Sequence, residues 1–452
     1  MNYKTINFRI YLLLVGIVII SGCNAIIRPL SIYRTWQTPV LLGAANDGNL
    51  CDISCNSAGD AVAVWTQSDG ITNRIWSRHY TIDESWDGAQ IIDSNSGAAF
   101  VAKVAVNDSG NAFAIWDQSD GINYRIWANC FISGEGWKTA MIIDSTSENA
   151  GLSKVAIDAQ GNAIAVWCQS DGTNQRIWAN HFEIGNGWNT PQIIDSISEY
   201  STSPQVAVDY FGNAIAVWIQ YDGSKNRIWA NHYSNAIGWD GAQPIDSDTG
   251  NVESPQLAID RSGKAIVVWV QSENNTERIW AIQYTSSKGW GTSQIIDSNP
   301  GLENTSFPHV AINSSGYAIA VWVQYNGTVN RIWANHYSTG KGWERAQLIS
   351  SNSSKGNASF PRVVVDNYGN ALAVWAQTET LPNTVRSRIW ANHYFYGRCW
   401  DNSRIIDNGI WGEMTRPQVA GDDSGNAIAV WIQSDAVSQF SVWASTYSSY
   451  SE

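Results

Sequence analysis

Basic residues are scarce in this chain. Its 452 residues include 27 lysines and arginines against 40 aspartates and glutamates, which gives a formal net charge of −13. Nucleic acids and anionic bilayers attract proteins through clustered lysine and arginine side chains. The composition therefore argues against both as partners, and we expect no nucleic-acid binding. Charged residues make up 15% of the chain and aromatic residues 12%, which is typical of a packed β protein rather than a disordered one.

Further absences limit the fold and the chemistry. No segment has the 3.6-residue apolar period of an amphipathic helix, which excludes a helical solenoid. The motifs G-x-S-x-G and H-E-x-x-H and a glycine-rich phosphate loop are missing. The five cysteines after residue 23 show neither a disulfide framework nor the spacing of metal ligands, and we expect them to be buried. The sequence thus predicts no catalytic residue, no enzymatic activity, no cofactor and no metal site.

The chain does contain a repeat that occurs eight times. The copy from Pro204 to Asp246 holds four segments rich in β-branched and aromatic residues: PQVAVD, NAIAVWIQ, RIWANHY and GWDGAQPID. Turn residues separate these segments, so we expect four strands, A to D, in each repeat. A period near 50 residues with four strands indicates an all-β, eight-bladed β-propeller with four antiparallel strands per blade. The tryptophan of segment B recurs at Trp65, Trp116, Trp167, Trp218, Trp269, Trp322, Trp375 and Trp431.

The two ends of the repeat array are out of phase. The array opens with an unaccompanied D segment, Arg34 to Leu42, and finishes after a C segment, Ser441 to Tyr447. Pairing of the N-terminal D strand with the last blade would complete that blade and remove the exposed edges of an open array. We therefore expect residues 34–452 to form one closed propeller.

A charged pair recurs in the repeats. Arginine precedes the strand-C tryptophan by two residues in seven copies, and aspartate follows the strand-D tryptophan by seven residues in six. The start of strand C should lie opposite the end of strand D, so we expect one structural ion pair per blade. Repeat 8 and the N-terminal segment lack both partners, whereas repeat 6 sets Arg331 against Ser350. The expected pairs are Arg74 with Asp93, Arg125 with Asp144, Arg176 with Asp195, Arg227 with Asp246, Arg278 with Asp297, and Arg388 with Asp407.

Residues 1–23 have the pattern of a targeting segment. Lys4 and Arg9 precede an apolar run that ends in Ile20-Ser21-Gly22-Cys23, and the run is too short to span a membrane comfortably. The ending resembles the lipobox of bacterial lipoproteins, which implies that Cys23 is the lipidated N-terminus of the mature chain. Residues 24–33 would then be a tether, and the protein would be anchored in the cell envelope, with Asn24 favouring the outer membrane. An uncleaved anchor is the alternative.

One tryptophan lies outside the repeat pattern. Three tryptophans per repeat at strand positions account for 24 of the 25, and such recurring residues are expected to pack blade against blade. Trp411 instead lies in the last D–A link, together with Glu413 and Arg416. Links of this kind vary between repeats, and loops on a rigid scaffold commonly carry binding. Trp411, Glu413 and Arg416 are therefore the candidate binding rim, with simple loop drift as the alternative.

The repeat resembles known propellers in outline only. Its D-x-x-G-N-A-x-x-x-W pattern, as at Asp209 to Trp218, is similar to the Asp-box of sialidase-type propellers, although the glycine-to-tryptophan spacing differs. PQQ-type lipoprotein scaffolds and lectin propellers are similar at the level of fold. Together with the lipobox, this indicates a tryptophan-rich propeller lipoprotein. We expect a monomeric, non-catalytic scaffold that binds a protein partner through its variable rim. The alternatives are a carbohydrate-binding lectin with sites between blades and, third, a sialidase-like glycoside hydrolase.

Overall fold

The computed structural model describes residues 34–44, 50–94, 97–145, 148–196, 199–273, 276–297, 304–351, 356–381, 384–409, 412–434 and 440–449. Within these ranges the chain forms strands and turns, and no helix. The strands form eight antiparallel sheets, and each sheet is one blade. Every blade is ordered inner, second, third and outer strand from the centre of the ring outward, which corresponds to segments A to D. The expected eight-bladed β-propeller is confirmed.

The strand bounds repeat from blade to blade. The inner strands are Cys51–Cys55, Ala99–Val106, Ala150–Ile157, Ser201–Val208, Val252–Ile259, Thr305–Ile312, Ala358–Val365 and Met414–Gly421. The second strands are Ala61–Ser68, Ala112–Ser119, Ala163–Ser170, Ala214–Tyr221, Ala265–Glu273, Ala318–Tyr325, Ala371–Leu381 and Ala427–Ser434. The third strands are Asn73–Thr81, Tyr124–Ile132, Gln175–Glu183, Asn226–Ser234, Thr276–Thr285, Asn330–Ser338, Thr384–Tyr394 and Phe440–Ser449.

Most outer strands consist of two short pieces. In blades 1 to 6 these are Ser85–Trp86 with Gln90–Ile91, Gly136–Trp137 with Met141–Ile142, Gly187–Trp188 with Gln192–Ile193, Gly238–Trp239 with Gln243–Pro244, Gly289–Trp290 with Gln294–Ile295, and Gly342–Trp343 with Gln347–Leu348. Blade 7 has a Tyr394–Trp400 bridge and Arg404–Ile405. Blade 8 takes its outer strand, Arg34–Trp36 with Val40–Ala44, from the start of the described chain.

This last pairing closes the ring. Arg34 pairs with Ser449 and Trp36 with Tyr447, while Leu41 pairs with Trp443 further along the same third strand. Closure of the ring by the N-terminal strand is therefore confirmed. The N-terminal strand covers the third strand of blade 8. That third strand therefore has no unpaired edge that could pair with another chain.

The tryptophan of each second strand lies at the centre of the core. All eight are 0% exposed, and each indole N–H donates to the side-chain oxygen of the glutamine two residues later, at 2.8–3.3 Å. A buried indole needs such an acceptor, since an unpaired buried N–H is costly. The glutamine that ends every second strand thus satisfies the core tryptophan of its own blade.

The ring has two different ends. A tight turn joins each inner strand to its second strand; in blade 4 the Asp209 carboxylate accepts the N–H groups of Phe211 and Asn213, and Gly212 takes the left-handed conformation at φ +85°. These turns and those between the third and outer strands form one end, called here the hairpin rim. The turns between second and third strands, with the links between blades, form the other end, the variable rim.

Candidate functional site

The six expected arginine–aspartate pairs are all in contact. The guanidinium Nε lies 2.6–2.9 Å from a carboxylate oxygen in each: Arg74 and Asp93, Arg125 and Asp144, Arg176 and Asp195, Arg227 and Asp246, Arg278 and Asp297, Arg388 and Asp407. The aspartate side chains are 0% exposed. In five blades the same carboxylate also accepts the backbone N–H of the residue that follows the arginine. These pairs join the third strand to the outer strand and belong to the framework.

Blades 6 and 8 lack the arginine–aspartate pair, and the structure shows what takes its place or excludes it. In blade 6 the Ser350 hydroxyl accepts the N–H of Ile332 at 3.1 Å, in the place of the carboxylate. In blade 8 a Cβ on Gly43 would lie 2.6 Å from Oε1 of Gln67 and 2.7 Å from Nε1 of Trp65. The closing strand therefore has no room for an aspartate.

The predicted binding rim is only partly described. Trp411 and the lipidation candidate Cys23 lie outside the described residues. Glu413 is exposed, and its backbone pairs with Ser434 just before the inner strand of blade 8. Arg416 is exposed too, but it lies within that inner strand with φ +52°. The structure thus places Arg416 on the wall of the central channel rather than on a peripheral loop.

The unusual backbone of Arg416 recurs around the ring. Seven inner strands carry a β-bulge near the variable rim. At each bulge a residue other than glycine has positive φ, between 50° and 57°: Val101, Leu152, Ser203, Ser254, Phe307, Phe360 and Arg416. Such conformations are strained, and bulges re-aim a side chain. The two phenylalanines come together, with ring centroids 4.9 Å apart. We call these seven residues the channel mouth.

A ring of polar residues lies two positions further along the inner strands. In each blade this residue pairs with the one that precedes the buried tryptophan of the second strand. Its eight members, called here the polar ring, are Asp52, Lys103, Lys154, Gln205, Gln256, His309, Arg362 and Gln418. One position of a repeat that is otherwise uniform thus carries five residue types, all of them polar, at the centre of the propeller.

Members of the polar ring reach the neighbouring inner strand. Asp52 lies 3.6 Å from the ammonium of Lys103 and accepts the N–H of Val104 at 3.2 Å. Arg362 Nε donates to Gln418 Oε1 at 2.9 Å. These contacts hold four of the eight ring side chains in place around the channel.

His309 is neutral in this setting. Its Nδ1 accepts the N–H of Val363 at 3.3 Å, a role that only the uncharged imidazole can play. Burial, with the nearby charges of Arg362 and Lys154, lowers the pKa of His309 well below its usual range. The histidine therefore adds a hydrogen-bonding group to the ring without adding charge.

The ring has an excess of positive charge. Three cations, Lys103, Lys154 and Arg362, share one carboxylate, Asp52. Burial lowers the pKa of Lys154 to about 7, helped by Lys103 and Arg362 and opposed by Asp52. Blades 3 and 7 are diametrically opposite in an eight-bladed ring, so the effect of Arg362 on Lys154 acts across the channel. An anion bound between them would supply the missing countercharge.

A second carboxyl group lies close to the ring. Asp117, at the end of the second strand of blade 2, accepts a hydrogen bond from Ser153 at 3.3 Å. Burial raises its pKa to about 7. It faces a groove of about 470 Å³ on the variable rim, which Phe100 and Tyr124 also line. Asp117 is thus a protonatable acid near the polar ring, since the charge of Lys103 acts on its pKa.

Pockets between blades occur at the hairpin rim. A third-strand histidine contacts an aromatic ring of the next blade in five places: His79 with Phe131, His181 with Tyr233, His232 with Tyr284, His336 with Tyr394, and His393 with Tyr447. Beside three of these histidines, His393, His232 and His181, lie cavities of about 10, 30 and 370 Å³. The recurring histidines therefore mainly fill the spaces between blades.

Other expectations concern metal, membrane and thiols. Within the described ranges, no group of three or more His, Cys, Asp or Glu is placed to hold a metal ion. No helix among the described residues is long and apolar enough to cross a membrane. The cysteines are free, but the expectation that all are buried is wrong, since Cys399 is exposed and Cys55 and Cys130 are half-buried. Cys399 lies in the turn after the third strand of blade 7, where no second blade covers it.

Sequence reasoning did not identify the polar ring because it looked for one residue type that recurs at a repeat position, whereas the ring residues differ from repeat to repeat. The signal was present: strand A carries Lys103, Lys154, His309 and Arg362 at one repeat position. This repeat position lies in the strand that faces the centre, and it is always polar although its residue type differs between repeats. Such a pattern indicates a binding site rather than a structural role that is the same in every blade.

Comparison with known proteins gives the fold. No protein-family description and no curated protein matches the chain. Among solved structures, polysaccharide lyase Uly1 is 6% identical, with a TM-score of 0.48 and 94% of each chain covered. The α-L-arabinofuranosidase arb93a from Fusarium graminearum is 13% identical, with a TM-score of 0.39, over 67% of this chain and 95% of that one. Hadza microbial sialidase Hz136 is 12% identical, with a TM-score of 0.36, over 83% and 73%.

These comparisons correct two expectations. The chain was expected to be a scaffold for a protein partner and not an enzyme, and both statements are wrong: the similar structures are named as polysaccharide lyases, an arabinofuranosidase and a sialidase. At these identities the similarity shows a shared propeller outline.

Proposed function

We propose that this chain is a carbohydrate-binding β-propeller whose central channel takes an acidic glycan from the variable rim. One observation carries the proposal: the polar ring holds three cations and one carboxylate, and that carboxylate already lies 3.6 Å from Lys103. The side chain of Lys154 has no hydrogen bond or ion pair among the described residues. An unbalanced positive centre that is half-buried favours a ligand that brings its own negative charge.

The remaining groups suit a sugar rather than a simple anion. Three glutamines of the ring, Gln205, Gln256 and Gln418, offer amides that can both donate to and accept from hydroxyl groups. Arg362 uses Nε and Nη1 within the protein, which fixes the guanidinium plane for a carboxylate approaching its other side. At the mouth, the Phe307–Phe360 pair presents an apolar surface on which the face of a pyranose ring can pack.

The test compares two forms of one sugar. Tetragalacturonate and its methyl ester share a backbone but only the first is charged, and a hyaluronan tetrasaccharide supplies glucuronate. In calorimetric titrations at low salt, we expect an acidic oligosaccharide to bind at least about tenfold more tightly than the ester, the equivalent of ~1.4 kcal/mol. Arg362→Gln should remove that preference, because it deletes a charge-assisted hydrogen bond.

Two further variants locate the site. Phe307→Ala should weaken the charged and esterified forms alike, since it removes apolar contact and no charge. Lys138→Gln is the matched control, because Lys138 is an exposed lysine whose partner is Glu135, in the same turn on the hairpin rim. Equal affinity for the acid and its ester, or an unchanged preference in Arg362→Gln, would show that the proposal is wrong.

A second candidate is cleavage of such a glycan at the same place. The observation that favours it is the pKa of about 7 for Lys154, because a lysine that is partly neutral near pH 7 can accept a proton. Incubation with the same acidic oligosaccharides, followed by assay of new reducing ends, tests it. Cleavage that Lys154→Met abolishes, at oligosaccharide concentrations high enough to saturate the more weakly binding variant, supports an enzyme. The absence of new ends with the unmodified protein would rule out cleavage of these glycans.

We also propose that the propeller is held at the cell envelope as a monomeric, tryptophan-rich lipoprotein, with Cys23 as the lipidated residue and the outer membrane as its location. The Ile20-Ser21-Gly22-Cys23 sequence supports this. Metabolic labelling with palmitate and fractionation of Cys23→Ala cells test the anchor. Labelling that survives the substitution would contradict it. Light scattering of the chain without residues 1–23 tests the monomer.

A further inference from the structure

A cavity of about 570 Å³ opens on the hairpin rim where the ring closes, between blades 8 and 1. Its wall includes Gln37 of the closing strand, Tyr80 and Asp83 of blade 1, and Asp422 and Thr446 of blade 8. We call it the seam cavity. Its volume is within the range of small-molecule sites, which begins near 300 Å³. It lies at the opposite end of the strands from the channel mouth, so it is a separate site.

The repeat supplies its own comparison. The corresponding space between blades 4 and 5 has a volume of about 30 Å³ and is lined by Asp209, His232, Ile259 and Tyr284. Between blades 7 and 8 the volume is about 10 Å³, and the wall includes His393. The larger groove between blades 3 and 4, about 370 Å³, lies against the outer strand of blade 4 and does not touch the turn aspartates.

Two substitutions enlarge the seam cavity. Thr446 takes the place that His232 has in blade 4, and Cys55 takes the place of Ile259. Both residues are smaller than those they replace, and the imidazole that contacts the aromatic ring of the next blade is lost. Tyr80, the counterpart of Tyr284, instead interacts with the Thr446 side chain, which acts to lower the tyrosine pKa against the effect of burial. Polar hydroxyl groups therefore replace a ring–ring contact.

The chemistry of the wall selects a neutral ligand. Its polar groups are the carboxylates of Asp83 and Asp422, the amides of Gln37 and Asn426, and hydroxyl groups including that of Tyr80, and no lysine or arginine lines it. Such a wall would repel an anion. The Asp422 carboxylate already accepts three hydrogen bonds within its own turn, so Asp83, Gln37 and the hydroxyl groups supply the acceptors for a molecule rich in hydroxyl donors. From this we infer that the seam cavity binds one neutral monosaccharide unit, independently of the acidic-glycan site proposed for the channel.

The test refills the cavity with the residue that the other blades use. Saturation-transfer NMR on the full chain, with glucose, galactose, mannose and N-acetylglucosamine as probes, should show binding of at least one sugar. Thr446→His should weaken that binding at least tenfold. His232 and four other histidines occupy this position in their own blades, so the variant is compatible with the fold, and circular dichroism checks it. Asp83→Asn keeps the shape and should also reduce binding.

The controls separate this inference from the channel proposal. Arg362→Gln, which alters the channel, should leave binding of the neutral sugar unchanged. Glucuronate should not compete for the seam cavity. Failure of all four sugars to bind, or binding that survives Thr446→His, overturns the inference whatever the acidic oligosaccharides do in the channel.

Discussion

Replacement of Lys154 by methionine should make the protein more stable at neutral pH while weakening its proposed ligand binding. The side chain is half-buried in the channel, and burial lowers its pKa from 10.5 to about 7. The folded state therefore holds the lysine proton less tightly than the unfolded state does. A group of this kind costs nothing above pH 10.5; its cost grows as the pH falls and is complete below about pH 7.

The pKa gives an upper bound for the effect. At ~1.4 kcal/mol for each pKa unit, the cost of the charged lysine is at most ~5 kcal/mol. Water reaches the ammonium from the channel, so we expect Lys154→Met to gain ~1–2 kcal/mol at pH 7. Methionine has a similar length and no charge, and it should pack against the channel wall without a new cavity.

Urea unfolding at pH 7 and pH 10 measures this gain. It should be clear at pH 7 and much smaller at pH 10, because pH 10 is close to the pKa of 10.5 at which the lysine in the unfolded chain also loses its proton. Lys138→Met, on the exposed hairpin rim, should change stability by less than ~0.5 kcal/mol at both pH values. A loss of stability in Lys154→Met at pH 7, or an equal gain at both pH values, would refute this account of the channel.

Three further predictions concern the framework. Arg227→Met leaves the buried Asp246 carboxylate without its partner and should lower the free energy of unfolding by ~3–5 kcal/mol, as measured by chemical unfolding. Arg331→Met in blade 6, where a serine replaces the acid, should lower it clearly less. Similar losses in the two variants would contradict the framework role of the pairs. Gly43→Asp restores the missing carboxylate to the closing strand but should lower stability by at least ~2 kcal/mol because its Cβ has no room, and a thermal melt with an unchanged midpoint would disprove the crowding. Asp117→Asn should stabilise the protein by ~1–3 kcal/mol at pH 8 and have little effect near pH 4. Burial raises the pKa of Asp117 from 3.8 to about 7, so the folded protein loses stability as the pH rises between these two pKa values. A gain that does not depend on pH would be evidence against a buried acid.

Much of the framework could be predicted from the sequence because the same pattern of four strands and their turns occurs in eight copies. The period, the four strands and the out-of-phase ends specify the blade count and the closure, and the absence of an acid at Gly43 pointed to the same seam. The four strands of a blade depend on local pairing, so one copy of the repeat is nearly enough to infer them, whereas the blade count and the closure need all the copies and both ends.

The candidate site depends on differences between the copies of the repeat. The sequence of a single copy does not show which of these differences form a site. In strand A, Gln205 follows the usual alternation of polar and apolar residues, so nothing in a single copy marks it as part of a ring. That Arg362 and Lys154 influence each other follows only from the count of blades between them. Arg416 was read as a loop residue because a bulge with positive φ leaves no clear mark in the sequence.

The pairing of Arg34–Trp36 with Phe440–Ser449 has a consequence for biogenesis. During translation, the first strand of the propeller emerges about 400 residues before its hydrogen-bonding partner, so it must wait unpaired while seven blades assemble. At 5–20 residues per second, that interval is on the order of 20–80 s. A nascent chain that stalls before its last segment would therefore keep an open sheet edge in its final blade. Chaperones could bind this edge and proteases could cleave it.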